Sequence, residues 1–380
     1  MIAIKNAQIV LENGIIWDGV ILVEGDKIAK FGKASEVEIP TDAEVIDADG
    51  AYVGPGFIDI HVHGYDNFCT CKNANETAEY YLKHGTTTML STADYLWDFD
   101  EFMASIRAAK EAMKTNKVIK GFYFEGPFIN VKYGCNSDLN PWSPDNIPEE
   151  QYKAFVDEAG TYAKVWITAP ERADIKGFAE YARKVNPEVV FAVGHSEATP
   201  MQIRAMGKYR PTLQTHSMCA TGRVPVCGGT RGYGPDEYCF KESEVYTELI
   251  CDSLGIHVHP EMQQLLIHNK GIDKVILVTD STMDDCENPP ELAHITDLNF
   301  DHNGGLAGSR LTMDQACKNI MTNTNCGIAQ AFLMASTNPA KAIKMDEEIG
   351  SIDIGKKADL VFVDDKFNVK QVMSEGKMVC

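Results

Sequence analysis

Eight short apolar, β-branched runs recur through the middle of the chain, and that count constrains the fold more than any other feature. The first ends at His63; the others are 86–92 (TTTMLST), 118–125 (VIKGFYFE), 163–169 (AKVWITA), 189–195 (VVFAVGH), 212–216 (TLQTH), 248–252 (ELICD) and 274–280 (KVILVTD). Helical patterns separate most of them, such as DFDEFMASIRAAKEAMKTN, PEEQYKAFVDEAGTYA, IKGFAEYARKV and PEMQQLLIHNKG. A strand followed each time by a helix implies parallel strands. Eight such units predict an α/β chain built as a closed (β/α)8 TIM-type barrel, with an open doubly wound sheet as the alternative. The ends read differently. AIKNAQIVLENGIIWDGVILVEGDKIAKFG near the start and GSIDIGKKADLVFVD near the finish alternate like short strands broken by Gly turns. They predict a small β-sandwich domain made from both termini, residues 1–50 and 346–380, around a barrel over 51–345.

A barrel gathers its function at the C-terminal ends of its strands. Here those ends carry His61 and His63, Glu125, His195, His216, Asp252 and Asp280. Side chains two apart on a strand share a face, so His61 and His63 point together. Singly, each has an ordinary reading. Chance supplies His-x-His pairs, Glu125 before Gly-Pro can cap a loop, a lone histidine is usually just hydrogen-bonded, and Asp280 can be a helix N-cap. Jointly they do not, because a polar group closing a buried strand is costly unless paired or ligating, and closure brings all of them to one mouth. The set predicts a metal site. Histidine and carboxylate donors without cysteine suit Zn²⁺, Fe²⁺, Mn²⁺ or Co²⁺. Such an ion lowers the pKa of water towards neutrality, and a carboxylate beside it can take the proton and pass it to a leaving group. Asp280 is placed for that role, and metal-assisted hydrolysis is the expected chemistry.

Composition removes other classes. The net charge of -20 opposes nucleic acid or an anionic membrane as partner, since both demand a positive surface. No apolar run approaches the roughly 20 residues of a membrane span, and the start lacks a signal-peptide pattern. The 11 cysteines, an odd number with no CxxC pair, read as reduced thiols of a cytoplasmic protein.

PGFIDIHVHG, the two later strand-end histidines and the final strand-end Asp280 resemble the amidohydrolase superfamily. FEGPFIN (124–130), GHSEAT (194–199), LVTDST (277–282) and LAGSRLTMD (306–314) narrow the likeness to the N-acetylglucosamine-6-phosphate deacetylase family, over nearly the whole chain. The likeness implies a divalent metal held by Glu125, His195 and His216, a second ion in some members on His61 and His63, and Asp280 as general base and then acid. The reaction implied is attack of hydroxide on the acetamide of N-acetylglucosamine 6-phosphate, giving acetate and the amino-sugar phosphate, in a homodimer. It further implies substrate contacts from His257, from Leu306, Ala307 and Gly308, and from Cys135 and Asn136, which stand where the family has a small residue and His. The family's H-x-x-N-A-M becomes HSMCATGRVPVCGGTRGYG here, with Cys219 and Ala220 at the matching places. Arg223 is the candidate phosphate arginine and Arg231 the reserve. His259 reads as structural. Other substrates stay open at this point: N-acetylgalactosamine 6-phosphate, another amide or cyclic amide, or none, in a non-catalytic metal-binding barrel. Cyclic amidases use a modified lysine on the fourth strand, and VWITAPE offers none.

Overall fold

A strand covered on both faces needs apolar residues at nearly every position, and the middle of the chain supplies them. The structure is a computed structural model that describes residues 1–142, 146–225, 227–283 and 286–380. Its central sheet holds β1 (Phe57–Val62), β2 (Thr86–Asp94), β3 (Ile119–Glu125), β4 (Ala163–Thr168), β5 (Val190–Val193), β6 (Leu213–Gln214), β7 (Tyr246–Ile250) and β8 (Val275–Val278). Each pairs in parallel with the next, in chain order. The first and last strands then meet: Asp280 N donates to His61 O at 2.9 Å and His63 N to Ser281 O at 2.8 Å. The sheet is a closed barrel, so the open doubly wound alternative falls.

Alternation along the strands separates two environments. On β3, Phe122 and Phe124 turn out towards the helices, where Phe124 stacks on Trp166 at 3.8 Å and meets Phe102 at 5.5 Å. Tyr123 and Glu125, between and after them, turn inward. The surrounding helices include α1 (Ala74–Lys83), α2 (Phe99–Met113), α3 (Glu149–Ala159), α4 (Ile175–Val185), α5 (Pro200–Ala205), α6 (Pro235–Lys241), α7 (Pro260–Lys270) and α8 (Met313–Thr324). Asp98 starts α2 by accepting from Glu101 N at 2.9 Å, and Thr199 starts α5 by the same capping-box device. His259, read as structural, caps α7 by accepting from Glu261 N.

Both termini feed one eight-stranded mixed sheet. Its order is Lys377–Met378, Val369–Ser374, Leu360–Val363, Tyr52–Pro55, Ile2–Leu11, Gly14–Glu24 and Lys27–Lys33, with Glu44–Asp47 alongside Ile2–Leu11. Tyr52–Pro55 runs through Gly56 directly into β1. Phe57, Phe332 and Phe367 pack ring to ring at 5.3 to 5.8 Å where that sheet meets the barrel. Among the described residues no helix is long and apolar enough to cross a membrane.

Candidate active site

The donor residues sit where the strands stop being regular. His63 follows β1 directly, Glu125 closes β3, and His195, His216, Asp252 and Asp280 each lie two residues beyond their strand. His195, His216 and Asp280 have φ of 45°, 22° and 47°, a left-handed conformation that costs a non-glycine residue on the order of 1–3 kcal/mol. The strain turns each side chain off its strand and over the barrel mouth.

Glu125 is the hub. Its Oε1 lies 2.7 Å from His195 Nε2 and 3.2 Å from His216 Nε2, and those two nitrogens are 2.9 Å apart. Its Oε2 lies 2.9 Å from His63 Nε2. Asp280 Oδ1 is 3.4 Å from the Nε2 of both His61 and His63. The ligand atoms thus form two overlapping groups, Glu125–His195–His216 and His61–His63–Glu125–Asp280, each within 4.8 Å. All are buried.

The far sides of the rings fix which nitrogen faces the mouth. His61 Nδ1 contacts Glu248 Oε2 at 3.1 Å, and His195 Nδ1 donates to the Tyr133 carbonyl at 3.1 Å. A neutral ring at either place turns an Nε2 lone pair to the centre, and His61 Nε2 is buried with no hydrogen-bond partner. Acceptors this close repel one another unless protons or a cation lie among them. The titration of the groups agrees. Burial opposes charge on His63, but Glu125 and Asp280 outweigh it and push its pKa up to about 10. Burial also works against the carboxylates, yet His195 and His63 hold Glu125 well below its usual range, and His61 and His63 hold Asp280 below its own. The pocket attracts positive charge, and a divalent cation fits its nitrogen and oxygen donors. Asp280 stays ionised at neutral pH, as a proton acceptor must.

The mouth opens into a cavity of about 530 Å³. Of the expected substrate residues, Cys135, Asn136, Cys219, Ala220, His257, Leu306, Ala307 and Gly308 all line it, with His63, Glu125, His195, His216 and Asp280. Asn136 N donates to Asp301 Oδ2 at 3.0 Å and its Oδ1 accepts from His302 Nδ1 at 2.6 Å. Asp252 proves to be an organiser. It accepts from the backbone N–H groups of Leu254, Ile256 and His257, which closes the stretch from Asp252 to His257 into a compact loop, and its Oδ2 lies 3.0 Å from His257 Nδ1. Arg223 and Arg231 are elsewhere: both reach Glu237 Oε1 at 3.3 Å on α6, with exposed side chains, and neither lines the cavity. Among the described residues the lining includes no lysine or arginine.

The residue pattern missed the layer beneath the ligands. Glu248 is fully buried inside the barrel and takes hydrogen bonds from Tyr123 OH at 2.8 Å and His216 N at 3.1 Å besides its contact with His61. Asp59, also fully buried, accepts from Thr279 Oγ1 at 2.6 Å. A carboxylate inside an apolar run, as in TELI and FIDIH, was the available signal.

The amidohydrolase family model matches residues 52–379. The N-acetylglucosamine-6-phosphate deacetylase of Lysinibacillus sphaericus is 28% identical over 372 residues, covering 92% of each chain. The N-acetylgalactosamine-6-phosphate deacetylase of Shewanella sp. (strain ANA-3) is 28% identical over 348 residues, covering 85% of this chain and 82% of its own. The crystal structure of N-acetylglucosamine-6-phosphate deacetylase from Pasteurella multocida superposes with a TM-score of 0.85 at 25% identity, covering 100% of this chain and 99% of that one.

Proposed function

The chain belongs to the amidohydrolase family, and from that premise we propose that it deacetylates N-acetylglucosamine 6-phosphate to glucosamine 6-phosphate and acetate. The observation that carries this reading is the convergence of Glu125, His195 and His216 beside an ionised Asp280 at the floor of one cavity. The Lysinibacillus relative and the superposed deacetylase, each matched over most of its length, support the choice of the gluco sugar, and the Shewanella relative supports the wider class of N-acetyl amino-sugar phosphates.

Glu125, His195 and His216 would hold the principal ion, and His61 and His63 with Asp280 a second. When bound, such an ion polarises an amide carbonyl and acidifies water. The chain's residues do the rest. Asp280 accepts a proton from the attacking water; oxygen adds to the acetamide carbon, the C–N bond breaks, and Asp280 returns the proton to the departing amine. Glu248 keeps His61 oriented. Asp252 holds the ring of His257 at the cavity wall, where its Nε2 lies 3.1 Å from Gly308 O; a sugar hydroxyl would take the place of that contact. Cys135, Asn136, Cys219, Ala220, Leu306, Ala307 and Gly308 shape the sugar's remaining surroundings.

The phosphate needs a cation, and the lining has none among the described residues. We assign it to the partner subunit's Arg223 in a homodimer, with Arg231 in reserve, because both lie on an exposed loop outside their own cavity. An arginine fork meets phosphate oxygens with two parallel hydrogen bonds. The odd count of eleven cysteines, with no CxxC pair, supports a cytoplasmic setting as part of this reading.

Metal-loaded protein incubated with N-acetylglucosamine 6-phosphate should release acetate, and Asp280→Asn should lower kcat by about 10²–10⁴ with little change in KM. Absence of release from a protein with an occupied metal site would sink the substrate assignment. Faster release from the galacto epimer would move the assignment to that sugar.

A further inference from the structure

At the opposite face of the barrel lies a second cavity of about 360 Å³, walled by Arg183, Lys208, Arg210 and Lys344. Arg183 comes from the last turn of α4. Val189 precedes β5 and Val190 opens it, the 3-10 turn Gly207–Tyr209 brings Lys208 and leads into Arg210, and Thr212 precedes β6. The cleft thus sits at the N-terminal ends of the two strands that carry His195 and His216 at their other ends.

Four cations around one cleft are unusual in a chain with 55 carboxylates and 35 Lys and Arg. Charge pairing alone would consume them, yet only Lys344 has an ion pair, to Glu188 at 3.0 Å. Among the described residues Arg183, Lys208 and Arg210 have no carboxylate in ion-pair range; the exposed Glu188, paired with Lys344, also feels the charge of Arg183 from beyond that range. The guanidinium of Arg183 lies over the Phe191 ring, 5.3 Å from its centroid, and Lys208 lies 5.0 Å from the Tyr209 ring. The ordinary reading of such a cluster is a set of separately hydrated side chains. Arg183 departs from it, because its contact with the Phe191 ring fixes the guanidinium at the cleft wall instead of leaving it free in solvent.

We propose that this cleft binds a phosphate dianion, free or as a phosphomonoester, on Arg183 and Arg210 with Lys208 and Lys344 around it. Two arginines match phosphate oxygens in geometry as well as charge. The cleft is too small for a polymer, and the net charge of -20 would repel a nucleic acid. The site shares no residue with the catalytic cavity, so it stands whether or not the deacetylase reading does.

Isothermal titration of the metal-loaded full chain, at ionic strength fixed with chloride, tests it with two probes, inorganic phosphate and glucose 6-phosphate. Saturable binding is expected, weakened at least about tenfold in Arg183→Gln/Arg210→Gln, with acetate release in low phosphate unchanged. Equal affinity for the probes identifies phosphate itself as the ligand, and tighter glucose 6-phosphate identifies a sugar phosphate. The exposed pair Lys208→Gln/Lys344→Gln leaves the Phe191 contact intact and should weaken binding about fivefold, which answers the question if the arginine variant melts early. Titrations that look alike in wild type and both variants, or a response that chloride alone reproduces, overturn the proposal.

Discussion

Glu248 shows how one residue can matter to a metal site without touching the metal. Its carboxylate faces His61 Nδ1, accepts from Tyr123 OH and takes the backbone N–H of His216, so it fixes a ring on β1 and the loop after β6 together. Partners of this kind set ring orientation and ligand basicity, and losing one costs about 10–100-fold in metal affinity. Glu248→Gln keeps the shape and one acceptor but removes the charge that favours His61 Nδ1–H. Chelator competition should show metal affinity falling within that range, while KM at saturating metal stays near the wild-type value. Unchanged affinity would reduce Glu248 to a space-filler. The candidate ligands could be picked out in the sequence because they cluster where strand-like runs end. Glu248 could not, because its role depends on which neighbour closure brings opposite it.

The short hairpin of Leu298–Phe300 and Leu306–Ser309 has the same importance among elements. Ser309 N donates to Asp280 O at 2.8 Å, Thr282 N to Ser309 O at 3.0 Å, and Ser309 Oγ to Thr279 O at 2.6 Å. It braces the strained turn that carries the proposed base. Gly308 permits the close approach: its φ is +61°, and a Cβ there would stand 2.5 Å from the Asp280 carbonyl oxygen. Gly308→Ala must therefore move the hairpin or the turn. We expect kcat/KM to fall about 10–100-fold, as a misplacement of about 1 Å can do, with a loss of stability of about 1–3 kcal/mol from overpacking. Melting temperature and steady-state kinetics check this together, and an unchanged kcat/KM would refute the brace. LAGSRLTMD pointed to substrate contact in the sequence. Its bracing of Asp280 did not show, because hydrogen bonds between backbone groups leave no residue signature.

The whole barrel was legible from the spacing of its strands, even where β6 keeps only Leu213–Gln214, and so was a β domain shared by both termini, from the alternation at each end; the order of its strands depends on pairings across more than 300 residues, which periodicity does not encode. Closure also makes the metal a matter for the entire molecule, since the proposed ligands come from β1, β3 and the turns after β5, β6 and β8. An ion bound there ties five strands, and at a thousand times its dissociation constant it adds about 4 kcal/mol to stability. Chelation should abolish activity and lower the melting temperature, and metal should restore both. The pH dependence of loading has a definite sign. Without metal, Glu125 and Asp280 prevail over burial and hold a proton on His63 up to about pH 10. Binding must displace protons that the empty site keeps at neutral pH. Apparent metal affinity should therefore rise with pH between 6 and 9, by as much as about tenfold per unit for each proton displaced. Chelator competition at several pH values measures it. An affinity flat across that range would mean that the histidines are already neutral without metal, and that the two carboxylates do not govern the charge of the site.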